Sequence, residues 1–385
     1  MRDVAIVGVG MTQFGKLVGR GLVDLANEAA REALADAGAT PSQVQSFYLG
    51  NFAGEVLTGQ ATLAAMVART IGLQNIPATK VEGACASAGI ALRHAYLAVA
   101  SGQVDVAMAV GAEKMSSADT PTVTRALAGA SDYERDAAPG LSFPGFFALV
   151  ARRHAHQYGT TRDQMAAVPV KSHDYGAQNP KAYLRKTANL EDVLASKPIT
   201  EPLTMFECSP ISDGAAAAIV VPLERAAEFS SQPIRILASV QTLGITSITD
   251  MDDLTAFPCT VEAARQAYQM AGVGPRDIDV CELHDCFSIA EIVDAEDLGF
   301  FRKGEGGPAV ESGTTRIGGE IPINPSGGLL SRGHPVGATG LAQVYEIVQQ
   351  LRGRAANQVP GAEIGLAHNL GGSGAVASIH ILSKN

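Results

Sequence analysis

The chain of 385 residues contains no tryptophan, and aromatic residues make up only 5% of it. Its core must therefore be built from Ala, Val, Ile and Leu, as the run Ala215 to Val221 suggests. The five cysteines (Cys85, Cys208, Cys259, Cys281 and Cys286) are an odd set without a Cys-x-x-Cys pair. That pattern argues against a disulfide scaffold or a zinc knuckle, and it fits a reducing cytoplasm. Positive charge is also scarce: 29 Lys and Arg against 39 Asp and Glu give a net charge of −10. That balance argues against general binding to nucleic acid or to an anionic membrane. A polyanionic small ligand stays open, because it needs only a local basic cluster. No stretch is long and apolar enough to span a bilayer. No charged-then-apolar leader opens the chain, since Arg2 and Asp3 run straight into a strand-like segment. Hydrophobic residues, in contrast, reach an ordinary 46%. The 41 glycines exceed the number that average usage of roughly 7% would give, so tight turns and close backbone approaches are expected.

The length allows two similar-sized units, and the sequence contains an internal repeat. Ala30 to Gly38 (Ala-Arg-Glu-Ala-Leu-Ala-Asp-Ala-Gly) matches Ala264 to Gly272 (Ala-Arg-Gln-Ala-Tyr-Gln-Met-Ala-Gly). The match runs on without a gap, placing Pro41 on Pro275, Val44 on Ile278 and Phe47 on Cys281. Each copy reads as an amphipathic helix stopped by glycine, a proline turn and an apolar strand. Next, Gly83 to Gly89 and Gly333 to Gly340 each open a helix, running to about Ser101 and about Leu351. Last, Ser212 to Ile219 resembles Ser373 to Ile379 beside a strand.

The spacing of the two copies differs in one place. In the second, the strand Glu363 to His368 turns almost directly into Gly374 to Leu382. In the first, Val104 to Gly111 is followed by residues 115–204, which read as an insertion at the end of a core strand. Such a position suits a substrate-binding loop domain. The expected units are 1–114 plus 205–232, the insertion 115–204, and 233–385. The insertion carries Arg125, Arg152, Arg153, Lys171, Lys181, Arg185 and Lys186, which read either as solvated surface or as a site for phosphate groups. Alternating strands and helices predict parallel-rich sheets, with ligands beyond the carboxyl ends of the strands.

Three strand-to-helix turns hold the candidate chemistry. Cys85 lies between the strand Ala78 to Glu82 and a helix starting near Ala86, where backbone amides and the helix dipole would favour thiolate. A lone cysteine is more often a buried structural residue, but this position favours a nucleophile. His334, in the matching turn of the second copy, could serve as general base. His284 and Cys286 end the strand Asp279 to Leu283, and Ser288-Ile-Ala-Glu291 predicts a capping box for the next helix. The Gly371-Gly-Ser-Gly374 turn could aim amides at a carbonyl oxygen, although it lacks the ending of a phosphate loop.

Taken together, Gly83 to Gly89, His284-Asp-Cys-Phe287, Gly328 to Gly340 and Asn369-Leu-Gly-Gly372 resemble the thiolase superfamily over essentially the whole chain. The resemblance implies an α/β thiolase fold. Two pseudo-symmetric βαβαβαββ halves would form five α-β-α-β-α layers, with an inserted loop domain. Conventional thiolases carry a cysteine where Asn369 stands, and Asn-Glu-Ala-Phe where this chain has His284 to Phe287. Both departures are similar to the sterol-carrier-protein-type and archaeal branch. The sequence ends at Asn385 without an added lipid-carrier domain, as in free-standing bacterial or archaeal members.

What the resemblance implies is Claisen-type exchange on CoA thioesters through an acyl-Cys85. His334 would take the thiol proton, and His284 with His334 would hold a thioester oxygen. The amides of Cys85 and Gly371 would form the oxyanion hole, where each lost donor costs about 2.7–4 kcal/mol. Cys286 would move the α-carbon proton. Arg152 and Arg153 are the expected contacts for CoA phosphates. Coenzyme A is expected as substrate, with no resident cofactor and no metal. A homodimer or dimer of dimers is expected, and a small zinc-containing OB-fold subunit as partner. The rival readings are a ketoacyl-synthase-like enzyme fed by a carrier protein and a non-catalytic subunit of an acyl-CoA complex. Cys286 and the Gly333-His-Pro335 turn favour thiolase.

Overall fold

The computed structural model describes residues 1–384. Its strands, in chain order, begin with β1 (Val4–Met11), β2 (Ser46–Gly50), β3 (Ala78–Val81) and β4 (Ala107–Glu113). A short hairpin follows, β5 (Pro198–Thr200) with β6 (Leu203–Thr204). Then come β7 (Gly214–Pro222), β8 (Ile234–Leu243), β9 (Val280–Glu282), β10 (Ile364–Gly371) and β11 (Val376–Lys384). Nine of these join in the order β3-β2-β4-β7-β1-β8-β11-β10-β9. The order is palindromic in kind: β1, β7, β4 and β2 correspond outward from the centre to β8, β11, β10 and β9. Even β3 has a counterpart, an isolated parallel bridge from Cys281 to Ile323 on the outer side of β9.

The sheet corrects one expectation. Only the flanking ladders β2–β3, β2–β4 and β9–β10 are parallel. The five central ones are antiparallel, because β7 and β11 return beside β4 and β10. In the second half that return is a tight turn. In the first, residues between β4 and β7 form the helices Thr120–Ala128, Phe143–Tyr158, Arg162–Gly176 and Leu190–Leu194 and the β5–β6 hairpin.

Three apolar clusters show how the layers stack. One packs the helices Leu22–Asp36 and Leu63–Ile71 on the outer face of the first half-sheet. Another packs Pro258–Ala271 and Ser288–Asp297 on the outer face of the second. Between the half-sheets lies a third, holding Leu92, Ala95 and Val99 of the helix Ser87–Ala100 with Leu341, Val344 and Val348 of Thr339–Leu351. The result is the five-layered α-β-α-β-α arrangement. Small residues make the central layer thin. A Cβ on Gly340 would come within 2.5 Å of the Gly89 backbone nitrogen, so the two central helices cross at their first turns with almost no gap. Burying this apolar surface contributes about 25 cal/mol per Å².

The repeat reads through at the level of single residues. The helices Leu22–Asp36 and Pro258–Ala271 are followed by Gly38 at φ 59° and Gly272 at φ 71°, left-handed conformations open to glycine. Pro41 and Pro275 each then start a 3₁₀ turn into a strand. The capping box expected at Ser288 is not formed. Phe287 occupies the cap, Ser288 donates to Glu207 at 3.1 Å, and Glu291 is taken by Lys171 at 2.5 Å. Tertiary partners outbid the local bond.

Candidate active site

The Cys85 turn begins where β3 ends. Ala84 takes φ 50°, a left-handed conformation that costs a non-glycine residue about 1–3 kcal/mol. The turn is held by Ser87, whose hydroxyl donates to the Ala84 carbonyl at 2.7 Å and accepts from the Gly83 amide at 3.0 Å. Cys85 follows in a single 3₁₀ turn before the helix Ser87–Ala100. Its half-buried thiol opens onto a cavity of about 730 Å³.

The matching turn of the second half is locked more heavily. The His334 amide donates to Ser212 Oγ at 2.7 Å. Nδ1 of His334 lies 2.7 Å from Thr339 Oγ1, and that hydroxyl donates its one proton to the Pro335 carbonyl at 3.0 Å. Thr339 must therefore accept from Nδ1–H, which leaves the lone pair of His334 on Nε2, facing the cavity. Glu113, the last residue of β4, accepts from the amides of Phe52, Ala53 and Gly337 and from the side chain of Asn51. Its carboxylate ties the histidine loop to the first half. Desolvation raises the Glu113 carboxyl to about 7 in spite of those donors.

His284 enters from the turn between β9 and the helix Ser288–Asp297. Its ring stands nearly perpendicular to His334, with centroids 5.0 Å apart. Sulfur of Cys85 and one ring nitrogen each of His284 and His334 all lie within 4.8 Å of one another. One thiol and two imidazoles also have the donor chemistry of a soft-metal site, and this is the one such cluster among the described residues. Cys286 lines the same cavity.

Burial dominates the electrostatics. It pushes the Cys85 thiol up to about 12, and the charges of Glu113 and Glu82 add to the effect. The Gly372 amide and the residue's own amide pull the other way. The thiolate expected at a helix start is therefore not the resting form, because desolvation outweighs the amides. Burial likewise lowers His334 to about 3, helped by Arg332, and holds His284 well below the ordinary histidine range, helped by His334 and His368. Cys286 is pushed well up by burial and next by Cys85. The resting site is a set of neutral groups, each one proton transfer from a charged state.

In the glycine turn the Gly372 amide acts on the Cys85 thiol, and the Gly371 carbonyl accepts from the Ala375 amide at 3.0 Å to close the hairpin. Arg152 and Arg153 lie on the exposed face of the helix Phe143–Tyr158 and do not line the cavity. That helix buries Phe146, Phe147, Val150, Ala151 and His154, so the arginines point away from it. Lys171 is spent on Glu291, and Lys181 on Glu32 and the Met11 carbonyl. Of the insertion's basic residues Arg125 alone lines the cavity, and no carboxylate does. Beside hydroxyls such as those of Thr124 and Ser209, its walls are mostly apolar and include Phe52, Leu127, Phe143, Ile199 and Ile211. Phe147 stacks on Phe287 at 4.6 Å. Cys208 lines it too.

Known proteins match this chain end to end. Residues 4–224 fit the family model described as thiolase, N-terminal domain, and residues 241–384 fit thiolase C-terminal domain-like. The acetyl-CoA acetyltransferase of Methanothermobacter thermautotrophicus is 48% identical over 100% of both chains. Human sterol carrier protein 2 is 37% identical over 98% of this chain and 71% of its own length. Among solved structures, the Ltp2-ChsH2(DUF35) aldolase superposes with a TM-score of 0.88 at 30% identity, covering 99% of this chain and 98% of that one.

Proposed function

The chain belongs to the thiolase family, and on that premise we propose that it moves an acyl group between a 3-ketoacyl-CoA and free CoA through Cys85. The observation that carries the reading is the convergence of Cys85, His284 and His334 within 4.8 Å at one cavity wall. The matched acetyl-CoA acetyltransferase supports the same activity class.

Chemistry follows from the protonation states. Nε2 of His334 takes the Cys85 proton as sulfur attacks the 3-keto carbonyl carbon. The amides of Cys85 and Gly371 hold the resulting oxyanion. The bond between the α-carbon and that carbonyl then breaks, leaving an acyl-Cys85 and the enolate of acetyl-CoA. His284 and His334 hold the enolate oxygen, and Cys286 protonates its α-carbon. Free CoA gives its thiol proton to Cys286 and attacks the acyl group, and the departing Cys85 recovers its proton from His334. Every step reverses, so the same groups support condensation.

The cavity supports an apolar acyl group, since no carboxylate or lysine lines it, with Arg125 placed to meet a CoA phosphate. Further parts of the proposal are a homodimer or dimer of dimers, a cytoplasmic location and a small zinc-containing OB-fold subunit. The Ltp2-ChsH2(DUF35) aldolase, named as a pair of proteins, supports a two-subunit assembly. The direct test is thiolysis of 3-ketoacyl-CoAs of increasing chain length, with free CoA and no carrier protein. CoA-dependent loss of the 3-ketoacyl thioester is expected. Activity only with carrier-bound substrates would overturn the reading in favour of a ketoacyl synthase.

A further inference from the structure

Two buried amides stand behind His284. Asn369 on β10 places Nδ2 3.2 Å from Nδ1 of His284 and 2.9 Å from Oε1 of Gln343, in the helix Thr339–Leu351. Asn369 Oδ1 and Gln343 Nε2, both buried, have no other partner. An amide nitrogen carries two protons, and Oε1 of Gln343 can only accept one of them. The second proton then points at Nδ1 of His284, which must accept it. Around the His284 ring stand His334 in the turn before the helix Thr339–Leu351, His368 on β10, and the thiols of Cys85 and Cys286. Burial keeps the two histidines and both thiols neutral, so none supplies a countercharge for an imidazolium at His284. With a single ring proton, its placement decides whether His284 can donate into the cavity.

We propose that Asn369, oriented by Gln343, is a positioning residue that keeps the ring proton of His284 on Nε2, where it serves as a donor to the substrate's thioester oxygen. The proposal rests on the thiolase reading above. It makes the two histidines complementary. Thr339 leaves Nε2 of His334 bare to take the Cys85 proton, and Asn369 leaves Nε2 of His284 protonated to hold an oxygen. The asparagine is thus more than the absence of a second cysteine.

The test reads the tautomer directly. In ¹⁵N-histidine-labelled protein, the His284 signal is identified by its loss in His284→Gln, and protonated Nε2 with bare Nδ1 is expected. Asn369→Asp presents an acceptor instead and should move the proton to Nδ1. Thiolysis kcat should fall about 10²–10³-fold, the usual loss for one oxyanion donor, with little change in KM. The variant's rate relative to the parent should then rise as pH falls, because an imidazolium paired with the carboxylate regains Nε2–H. A parent with the proton on Nδ1 would overturn the proposal. So would an unchanged tautomer in Asn369→Asp, or a loss of the same fraction at every pH. If that variant does not fold, Gln343→Met removes the orienting acceptor and should give mixed tautomers, and a single unchanged one would count equally against the idea. The tautomer is measured without turnover, so failure of the thiolase reading would appear separately, as a Cys85 that acyl-CoA does not acylate.

Discussion

The two halves use one backbone device, a strand turning into a central helix, for opposite purposes. At Cys85 the turn is strained at Ala84 and held by Ser87, and the residue is half-buried where it lines the cavity. At His334 it is buried and fixed from three sides by Ser212, Thr339 and Glu113 through Gly337. A nucleophile must reach substrate, whereas a base must hold one ring nitrogen at a set distance from it. The crossing of Gly89 and Gly340 brings the two turns face to face. In the proposed chemistry, side chains at matched positions of the two halves take different roles.

The comparison breaks most severely at His334. His334→Ala removes both the base and a donor to the thioester oxygen, so kcat/KM for thiolysis should fall by at least about 10⁴-fold. Steady-state assays with folding checked by thermal melting would measure it, and a loss under tenfold would deny the turn its role. Cys286→Ser should fall about 10²–10⁴-fold in overall exchange while Cys85 is still acylated by acetyl-CoA. Exchange of the α-protons into deuterated solvent separates the two steps, and near-normal exchange would move that role to another group.

Thr339→Val sharpens the contrast more gently. It keeps the shape and removes both bonds of the hydroxyl, to His334 and to the Pro335 carbonyl; the one that fixes the ring is worth about 1 kcal/mol, so kcat should drop roughly five- to tenfold. The pH profile gives the smallest signal. With His334 near 3 and Cys85 near 12, acylation of Cys85 should show no inflection at the ordinary histidine value of 6.5. It should fall only as acid approaches the lowered value and His334 gains a proton. An inflection near 6.5 in stopped-flow acylation would show that burial is weaker than the geometry implies.

The repeat was legible because helix, glycine stop and proline turn recur at one fixed offset from Ala30 to Cys281. Strand-to-helix turns were legible for the same reason, since small residues and glycine mark them. What escaped were features that depend on distant chain segments. The placement of Arg152 and Arg153 on the solvent side follows from the packing of the opposite face of their helix, Phe146 to His154, against other segments. The low basicity of the site comes from burial, and no local run of residues states it. Glu113 was detectable: a lone acid closing the buried run of β4 signals a carboxylate with work to do across the chain. Thr339 sits within the Gly333 to Gly340 motif, where His334 is the conspicuous residue.

The central claim is that the Cys85 turn carries the acyl group and the His334 turn does not. Mass spectrometry of the protein mixed with acetyl-CoA, quenched in acid and digested, tests it most directly. The account predicts one acetyl adduct, on the peptide holding Cys85, absent from Cys85→Ala along with turnover. An adduct only on Cys208, Cys286 or another residue, or full turnover by Cys85→Ala, would contradict it.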